Sequence, residues 1–475
     1  MMMQLIWFRQ DLRIDDHTAL WHATNSGQTI ALVILSPQQW KRHDDAPIKI
    51  DFYLRQLKAL KRQLQKLNIP LIVQTIQLWQ DVPQCISSLC ESLNIETVHA
   101  NIEAGFNERL RDENVEKQLH LNGKQVHFYH DRTIFPLGSI RNQSNLPYQV
   151  FGAFKKKCYE QLSISLPSLF DTPNPQAQIE FKGLTSYSTV IPQIEDIYPD
   201  TVLSERKWKV SEAHTLELLD DFIENRLVHY HEQRDFPNIQ GTSQLSAYLN
   251  MGIISIRQCL HALFREQLGH FHIQHQGQQT WLDELLWREF YQHILFDFPQ
   301  VSKHCPFKPQ TDKIQWRQDL DDLDAWKFGK TGIPIVDAGM RQMLATGWMH
   351  NRVRMITAMF LSKNLLIDWR LGEQWFMQHL IDGDLAANNG GWQWCASTGT
   401  DAVPYFRIFN PISQSLKFDA SGDYIRQWIP ELAHLDHKTI HEPYAKQADL
   451  ALDYPKPIVD LKQSRLRAID AFQSI

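Results

Sequence analysis

Apolar and polar positions change rhythm along this chain, and the change divides it. Over the first part, short apolar runs at residues 5–8, 29–35, 71–75, 97–101 and 126–129 alternate with stretches of helical period. The clearest of these stretches spans 48–67, where Ile50, Leu54, Leu57, Leu60, Leu64 and Leu67 recur every three or four residues. Short buried strands separated by helices predict an α/β domain over residues 1–130, built on a doubly wound parallel sheet. Residues 131–205 are rich in Pro and Ser with few periodic apolar positions, and predict an interdomain linker. From 206 to 475 helical period dominates, which predicts a larger, all-α C-terminal domain.

No GxGxxG or GxxxxGK[ST] follows any predicted strand, so the sheet alone assigns no nucleotide. The chemistry is concentrated in the helical half. Residues 382–411 (DGDLAANNGGWQWCASTGTDAVPYFRIFNP) set Asp382 and Asp384 beside Asn388 and Asn389, then Gly390 and Gly391, then Trp392 and Trp394. Carboxylates, amides and aromatic faces together suit a large planar polar ligand. A Trp-rich helix junction with Asp and Asn as caps is the plain alternative. In 281–291 (WLDELLWREFY), Trp281, Glu284, Trp287, Arg288 and Tyr291 fall on one helical face. That stripe suits a cavity for a base or a flavin, or equally an interdomain face with Glu284 paired to Arg288. In 347–355 (GWMHNRVRM), Trp348, Asn351, Arg352 and Met355 share a face with Arg354 at its edge. They could bind phosphate and a base edge, or form an ordinary exposed face. Thr242, Ser243 and Ser246 open an apolar-periodic run, as an anion site or as simple capping.

Composition narrows this picture. Of 15 Trp, 11 lie beyond residue 200, which biases the helical half toward flat ligands or electron chemistry. The formal charge of −6 argues against nucleic-acid binding by the whole surface but leaves room for a local basic face. Six scattered Cys without a CxxC pair read as reduced thiols of a cytoplasmic protein. The N-terminus lacks a signal-peptide pattern, and no apolar run is long enough to span a membrane. His270, His272 and His275 have no Cys or carboxylate nearby and predict no metal site. Lys155, Lys156 and Lys157 read as a solvated basic turn.

Taken together, the chain resembles the photolyase/cryptochrome family, most closely the class I cyclobutane pyrimidine dimer photolyases of bacteria. The resemblance runs from WFRQDLR at 7–13 to DYP at 453–455, through RDFP at 234–237, WLDELLWREFY, KTGIPIVDAGMRQM at 330–343, GWMHNRVRM and the segment at 382–411. It implies FAD, active as FADH⁻, in the helical domain. Tyr230, Thr242, Ser243, Gln244, Leu245, Ser246, Trp281, Trp348, Asn351, Arg354, Asp382, Gly383, Asp384 and Asn388 would surround it, with Asn388 facing the flavin N5. An amide there hydrogen-bonds a reduced flavin without adding negative charge. The family usually has a basic residue where this chain has Gln244, so a phosphate contact is lost there.

The implied reaction is light-driven: excited FADH⁻ passes an electron to a pyrimidine dimer in DNA, the ring splits, and the electron returns. Glu284, Asn351 and Asn388 would carry it. Glu284, Trp287, Asn351, Met355 and Trp394 would meet a flipped dimer, while Arg234, Arg288, Arg352 and Gln414 hold the strand. Trp392, Trp369 and Trp316 match the family's electron relay. The GFNER segment at 105–109, with Asn107 and Glu108, matches a folate antenna site together with His43 and Lys303. A 5,10-methenyltetrahydrofolate is implied first and 8-hydroxy-5-deazaflavin second. The expected protein is a monomer.

Two rivals remain. A cryptochrome would sense blue light without repair, and tends to lose a Trp at the positions of Trp287 or Trp394; both are present. A (6-4) photolyase needs His where Asn351 and Met355 stand.

Overall fold

Five strands form one parallel sheet: β1 (Met3–Phe8), β2 (Gln28–Leu35), β3 (Leu71–Thr75), β4 (Ile95–Asn101) and β5 (Gln125–Tyr129). Their order is β3-β2-β1-β4-β5, all parallel, as predicted for a doubly wound sheet. The chain winds outward from β1 to β3, then returns to the other side of β1, so the order reverses between β1 and β4. Leu5 lies opposite Ile30 on one side and Val98 on the other, and all three are buried in one core with Trp7, Leu32 and Ile72. The helix Pro47–Lys66 keeps the predicted period, burying Ile50, Leu54, Leu57, Leu60 and Leu64, with Pro47 in the first turn where its missing N–H costs nothing.

This computed structural model describes residues 3–179, 182–201, 203, 208–445 and 451–475. The predicted 205/206 boundary lies outside the described residues. By internal contacts the chain forms two compact units: Met1–Leu227 with Ser243–Pro299, and Val228–Thr242 with Gln300–Ile475. Compactness therefore cuts the chain at other places than the change in period, because the helices Ser246–Met251 and Gln276–Asp297 belong to the first unit.

The connection after β5 corrects the expectation of few periodic positions. It contains the helix Phe151–Leu162, which buries Phe151, Phe154, Cys158 and Leu162 at three- and four-residue spacing against the helix Gln276–Asp297. The three lysines lie inside this helix, not in a turn, and Lys155 Nζ pairs with Asp283 at 3.0 Å. The Pro- and Ser-rich character begins only beyond this helix, at residues 163–175.

The second unit is helical around a core that includes Trp326, Val353, Phe360, Trp369, Phe376 and Trp392. The helix Asn351–Met359 runs into a π turn over Phe360–Asn364, then come helices Trp369–Met377 and Leu385–Ala396. Among the described residues no helix is long and apolar enough to cross a membrane.

Candidate functional site

In the second unit, Asp384 caps the helix Leu385–Ala396 by accepting from Ala387 N at 2.9 Å, so the capping reading of this residue holds. The residues around it do more. Arg354 Nη2 donates to both oxygens of Asp382 at 3.0 and 2.9 Å, and its Nε donates to the Met349 carbonyl. Asn388 is half-buried, and its Nδ2 donates to the Glu373 carbonyl at 3.0 Å. That commits the nitrogen end of the amide and leaves Oδ1 as an acceptor. Behind it, buried Glu373 accepts from Asn389, whose Oδ1 accepts from Gln393, which in turn accepts from Phe307 N. Asn389 and Gln393 are four apart on one helix, a spacing visible in the sequence but hidden by interest in the neighbouring Trp residues.

Trp392 is 2 % exposed and meets Phe376 and Trp326 edge-on, at 4.9 and 5.9 Å. A Cβ on Gly372 would stand 2.1 Å from Trp392 Cη2, so the ring lies directly on that helix backbone. Trp369 is buried one turn before Gly372, with the Arg370 guanidinium 5.0 Å from its ring. Trp316 is half-buried and meets Phe472 edge-on at 6.2 Å. Among the described residues, the three candidate relay rings make no ring-to-ring contact with one another. Trp326, which sequence reading missed, touches Trp392.

A cationic cluster gathers on the same unit. Arg352 Nη2 pairs with Asp235 at 2.8 Å, its guanidinium lies 4.5 Å from the Phe418 ring, and Nη1 points at Met355 Sδ. Arg234 Nε is 3.8 Å from the same carboxylate, and Arg234 sits over the buried Tyr230. His350 caps the helix of Asn351 by accepting from Arg352 N. Burial pushes the His350 pKa down to about 4, against the pull of Asp235. It therefore stays neutral, as an accepting cap requires. Trp348 meets His350 edge-on, Asn351 is exposed, and Trp394 and Gln414 are half-buried. Gly383 packs near the Leu380 carbonyl and Met377.

In the first unit, the helix Gln276–Asp297 carries its predicted stripe. Trp281 is sunk against Phe222, while Glu284, Trp287, Arg288 and Tyr291 are half-buried. Trp287 stacks on Phe151 at 3.7 Å. Arg288 Nη1 donates to the Arg132 carbonyl at 2.8 Å, so part of this guanidinium is committed inside the unit. Gln244 adopts a left-handed φ of 54°, and the short helix after it has Leu245 at its cap with no side-chain cap bond. Ser243 and Ser246 are thus not used for capping. His275 is a cap, its Nδ1 accepting from Gln278 N.

Of the candidate antenna residues, the first unit brings three together. His43 Nε2 lies 3.1 Å from Asn107 Nδ2 and its ring meets Trp79 edge-on. The Glu108 carboxyl folds into the space a Cβ on Gly105 would need. Burial raises the Glu108 pKa, partly offset by His43. Lys303 is exposed in the second unit.

The crevice at the carboxyl ends of β1 and β4, where the strand order reverses, is the usual ligand position in such a sheet. Here it is filled with charge. Arg13 pairs with Asp131 at 2.6 Å, Arg257 with Asp131 and Asp16, Arg9 with Asp112, and Asn101 donates to Asp11. Its free volume is about 20 Å³, roughly room for one water.

Residues 4–176 match the family model described as DNA photolyase, and residues 281–474 the model described as the FAD binding domain of DNA photolyase. A deoxyribodipyrimidine photo-lyase of Escherichia coli is 42% identical over 474 residues, 99% of this chain and 98% of that protein. One of Vibrio cholerae is 42% identical over 465 residues, covering 98% and 97%. Among solved structures, a class III photolyase of Agrobacterium tumefaciens aligns with TM-score 0.83 at 34% identity, covering 100% of this chain and 97% of that one. A Synechocystis cryptochrome aligns with TM-score 0.85 at 28% identity, covering 99% of each.

Proposed function

Because the chain belongs to the DNA photolyase family, we propose that it is a deoxyribodipyrimidine photo-lyase that binds FAD and repairs cyclobutane pyrimidine dimers in DNA with light. The observation that carries the cofactor assignment is the anchored amide of Asn388, close in sequence to Asp382 with its Arg354 partner. These groups fit a flavin. Asn388 Oδ1 can accept from a ring N–H, and Arg354 and Asp382 offer a donor and an acceptor edge. By the family motif, Trp281, Trp348, Tyr230, Thr242, Ser243, Gln244, Leu245, Ser246, Gly383 and Asp384 would complete the set. Reduced FAD, when bound, supplies the photoexcited electron and takes it back.

The protein's own residues do the rest. Trp287 and Trp394 give stacking faces for a flipped dimer, worth about 1–3 kcal/mol per base. Trp287 is already held flat on Phe151, so little side-chain freedom is lost on binding. Glu284 and Asn351 hydrogen-bond the base edges, Met355 packs beside them, and Arg234, Arg288, Arg352 and Gln414 grip the strand. Trp392, Trp369 and Trp316 return the cofactor to its active state by passing electrons from outside.

For the antenna we infer 5,10-methenyltetrahydrofolate bound by His43, Asn107, Glu108 and Lys303. Paired charge already fills the crevice between β1 and β4, where Arg13 and Arg257 share Asp131 and Asn101 donates to Asp11, which favours the folate over 8-hydroxy-5-deazaflavin. We place the protein in the cytoplasm as a monomer, in keeping with six free thiols.

The likeness to a cryptochrome structure means that fold alone does not separate repair from signalling. A light-dependent repair assay on an oligonucleotide with one dimer does, run beside an absorption spectrum of the purified protein. Flavin and folate bands with light-dependent dimer loss are expected. Flavin without repair by the reduced protein would leave the photoreceptor reading.

A further inference from the structure

Arg352 is a phosphate-binding candidate that already has an anion. Asp235 Oδ1 lies 2.8 Å from its Nη2 and 3.8 Å from Arg234 Nε, and it is the carboxylate with which Arg352 forms an ion pair. Phe418 holds the same guanidinium at 4.5 Å and carries the Lys417 ammonium at 5.0 Å on its ring. Two guanidinium groups thus meet one carboxylate whose side chain is 32% exposed, with the Lys417 ammonium on the neighbouring ring. The ring of Phe418 and the sulfur of Met355 also hold Arg352. What Asp235 adds is negative charge where a DNA strand brings its own.

We propose that Asp235 acts as an internal competitor of the DNA backbone, occupying the anion position on Arg352 until a phosphate displaces it. The proposal rests on the reading that Arg352 holds a backbone phosphate. A phosphate contact carries no information about damage. Competition at Arg352 therefore weakens binding to all DNA alike, leaving discrimination to the stacking residues and shortening the time spent on undamaged sequence. It also changes the salt dependence. A free arginine that meets a phosphate releases one condensed counterion. An arginine that exchanges Asp235 for a phosphate frees a carboxylate that recruits a cation of its own, so the net release is smaller.

The test is Asp235→Asn, which keeps an oxygen to accept from Arg352 but removes the charge, with Asp235→Ser as a second uncharged variant. Fluorescence anisotropy of the flavin-loaded protein is measured on undamaged and dimer-containing duplexes at several salt concentrations. Both variants should bind both DNAs roughly 3- to 10-fold more tightly at low salt. The slope of log affinity against log salt should steepen by about 0.9. In an Arg352→Ala background Asp235→Asn should lose most of this effect. Unchanged or weaker binding with an unchanged slope overturns the proposal, because it makes Asp235 a support for Arg352. If Arg352→Ala itself leaves both affinities unchanged, the phosphate reading of Arg352 fails, and the proposal fails with it.

Discussion

Asp131 and Asp337 are both buried carboxyls, one in each unit, and the protein keeps them in opposite ways. Asp131 accepts from Arg13, Arg257 and Thr18. Burial alone would raise its pKa, but the two guanidinium groups hold it far below the carboxylate range. Asp337 accepts from Thr331 N and Oγ1, Gly332 N and the Tyr454 hydroxyl, all neutral donors. There burial wins, and the pKa is pushed up to about 6. The contrast extends to neighbours. Asp11 and Glu103 in the first unit are held low by cations, whereas burial takes Asp419 in the second up to about 6 and Lys363 down to about 7. The Lys363 ammonium meets Ser397 Oγ and the Phe472 ring, both neutral. One unit locks its switch-point crevice with paired charge. In the other, Asp337, Asp419 and Lys363 stand among neutral partners and shed charge easily.

The comparison breaks most sharply at Asp131. Asp131→Asn leaves two buried arginines without their shared anion and should cost about 3–5 kcal/mol. Urea unfolding with hydrogen exchange should place that loss in the first unit; a loss under ~1 kcal/mol would mean the lattice is not a buried network.

Acid should then move the contributions of these buried groups in opposite directions. Asp337 and Asp419 lose their protons near 3.8 when unfolded and near 6 when folded, so the folded second unit binds more protons between those values. The stability these two carboxyls contribute is highest below pH ~4 and is lost as pH rises toward 6, by up to about 3 kcal/mol per carboxyl. In the first unit, burial takes His99 down to about 4 from 6.5, so the unfolded chain takes up a proton first. That stability is full above pH ~6.5 and is lost as pH falls toward 4, with the Asp131 contribution failing lower still. From pH 7 to 5 the stability that Asp337 and Asp419 contribute should grow, while that of His99, and of His350 in the second unit, should shrink, each read as the difference in exchange protection from Asp337→Asn, Asp419→Asn, His99→Gln and His350→Gln. Parallel changes would erase the distinction.

Two smaller effects sharpen the aromatic side. Gly372→Ala drives a methyl into Trp392 and should cost about 1–3 kcal/mol with a shift in Trp fluorescence. Trp316→Phe should slow light-driven reduction of oxidised flavin by about tenfold or more, near 1.4 kcal/mol, while pre-reduced protein repairs normally. Equal loss of both activities would make Trp316 structural.

Legibility from sequence tracks the range of the interactions. The sheet was legible because buried parallel strands and leucine-periodic helices declare themselves locally. The helix Phe151–Leu162 was missed because its lysines and flanking prolines masked four apolar positions at helical spacing. Within the site, long motifs named the candidates, but not their partners. Asp235 on Arg352, Glu373 behind Asn388 and Trp326 beside Trp392 are contacts between residues distant in sequence, set by packing, with no local signature. Arg288 shows the same limit, since nothing near it in sequence announces the Arg132 carbonyl that holds it.

Among the described residues none accepts from the buried Trp392 indole Nε1–H. In the proposed relay an oxidised Trp392 would have none of these groups at hand to take its proton, and a ring pinned on the Gly372 backbone has little room to rearrange around new charge. In that relay both conditions would keep an electron vacancy from being trapped. They would lower the reorganisation that accompanies transfer and keep the vacancy mobile until it reached an indole nearer to water, where loss of the proton would make the step irreversible.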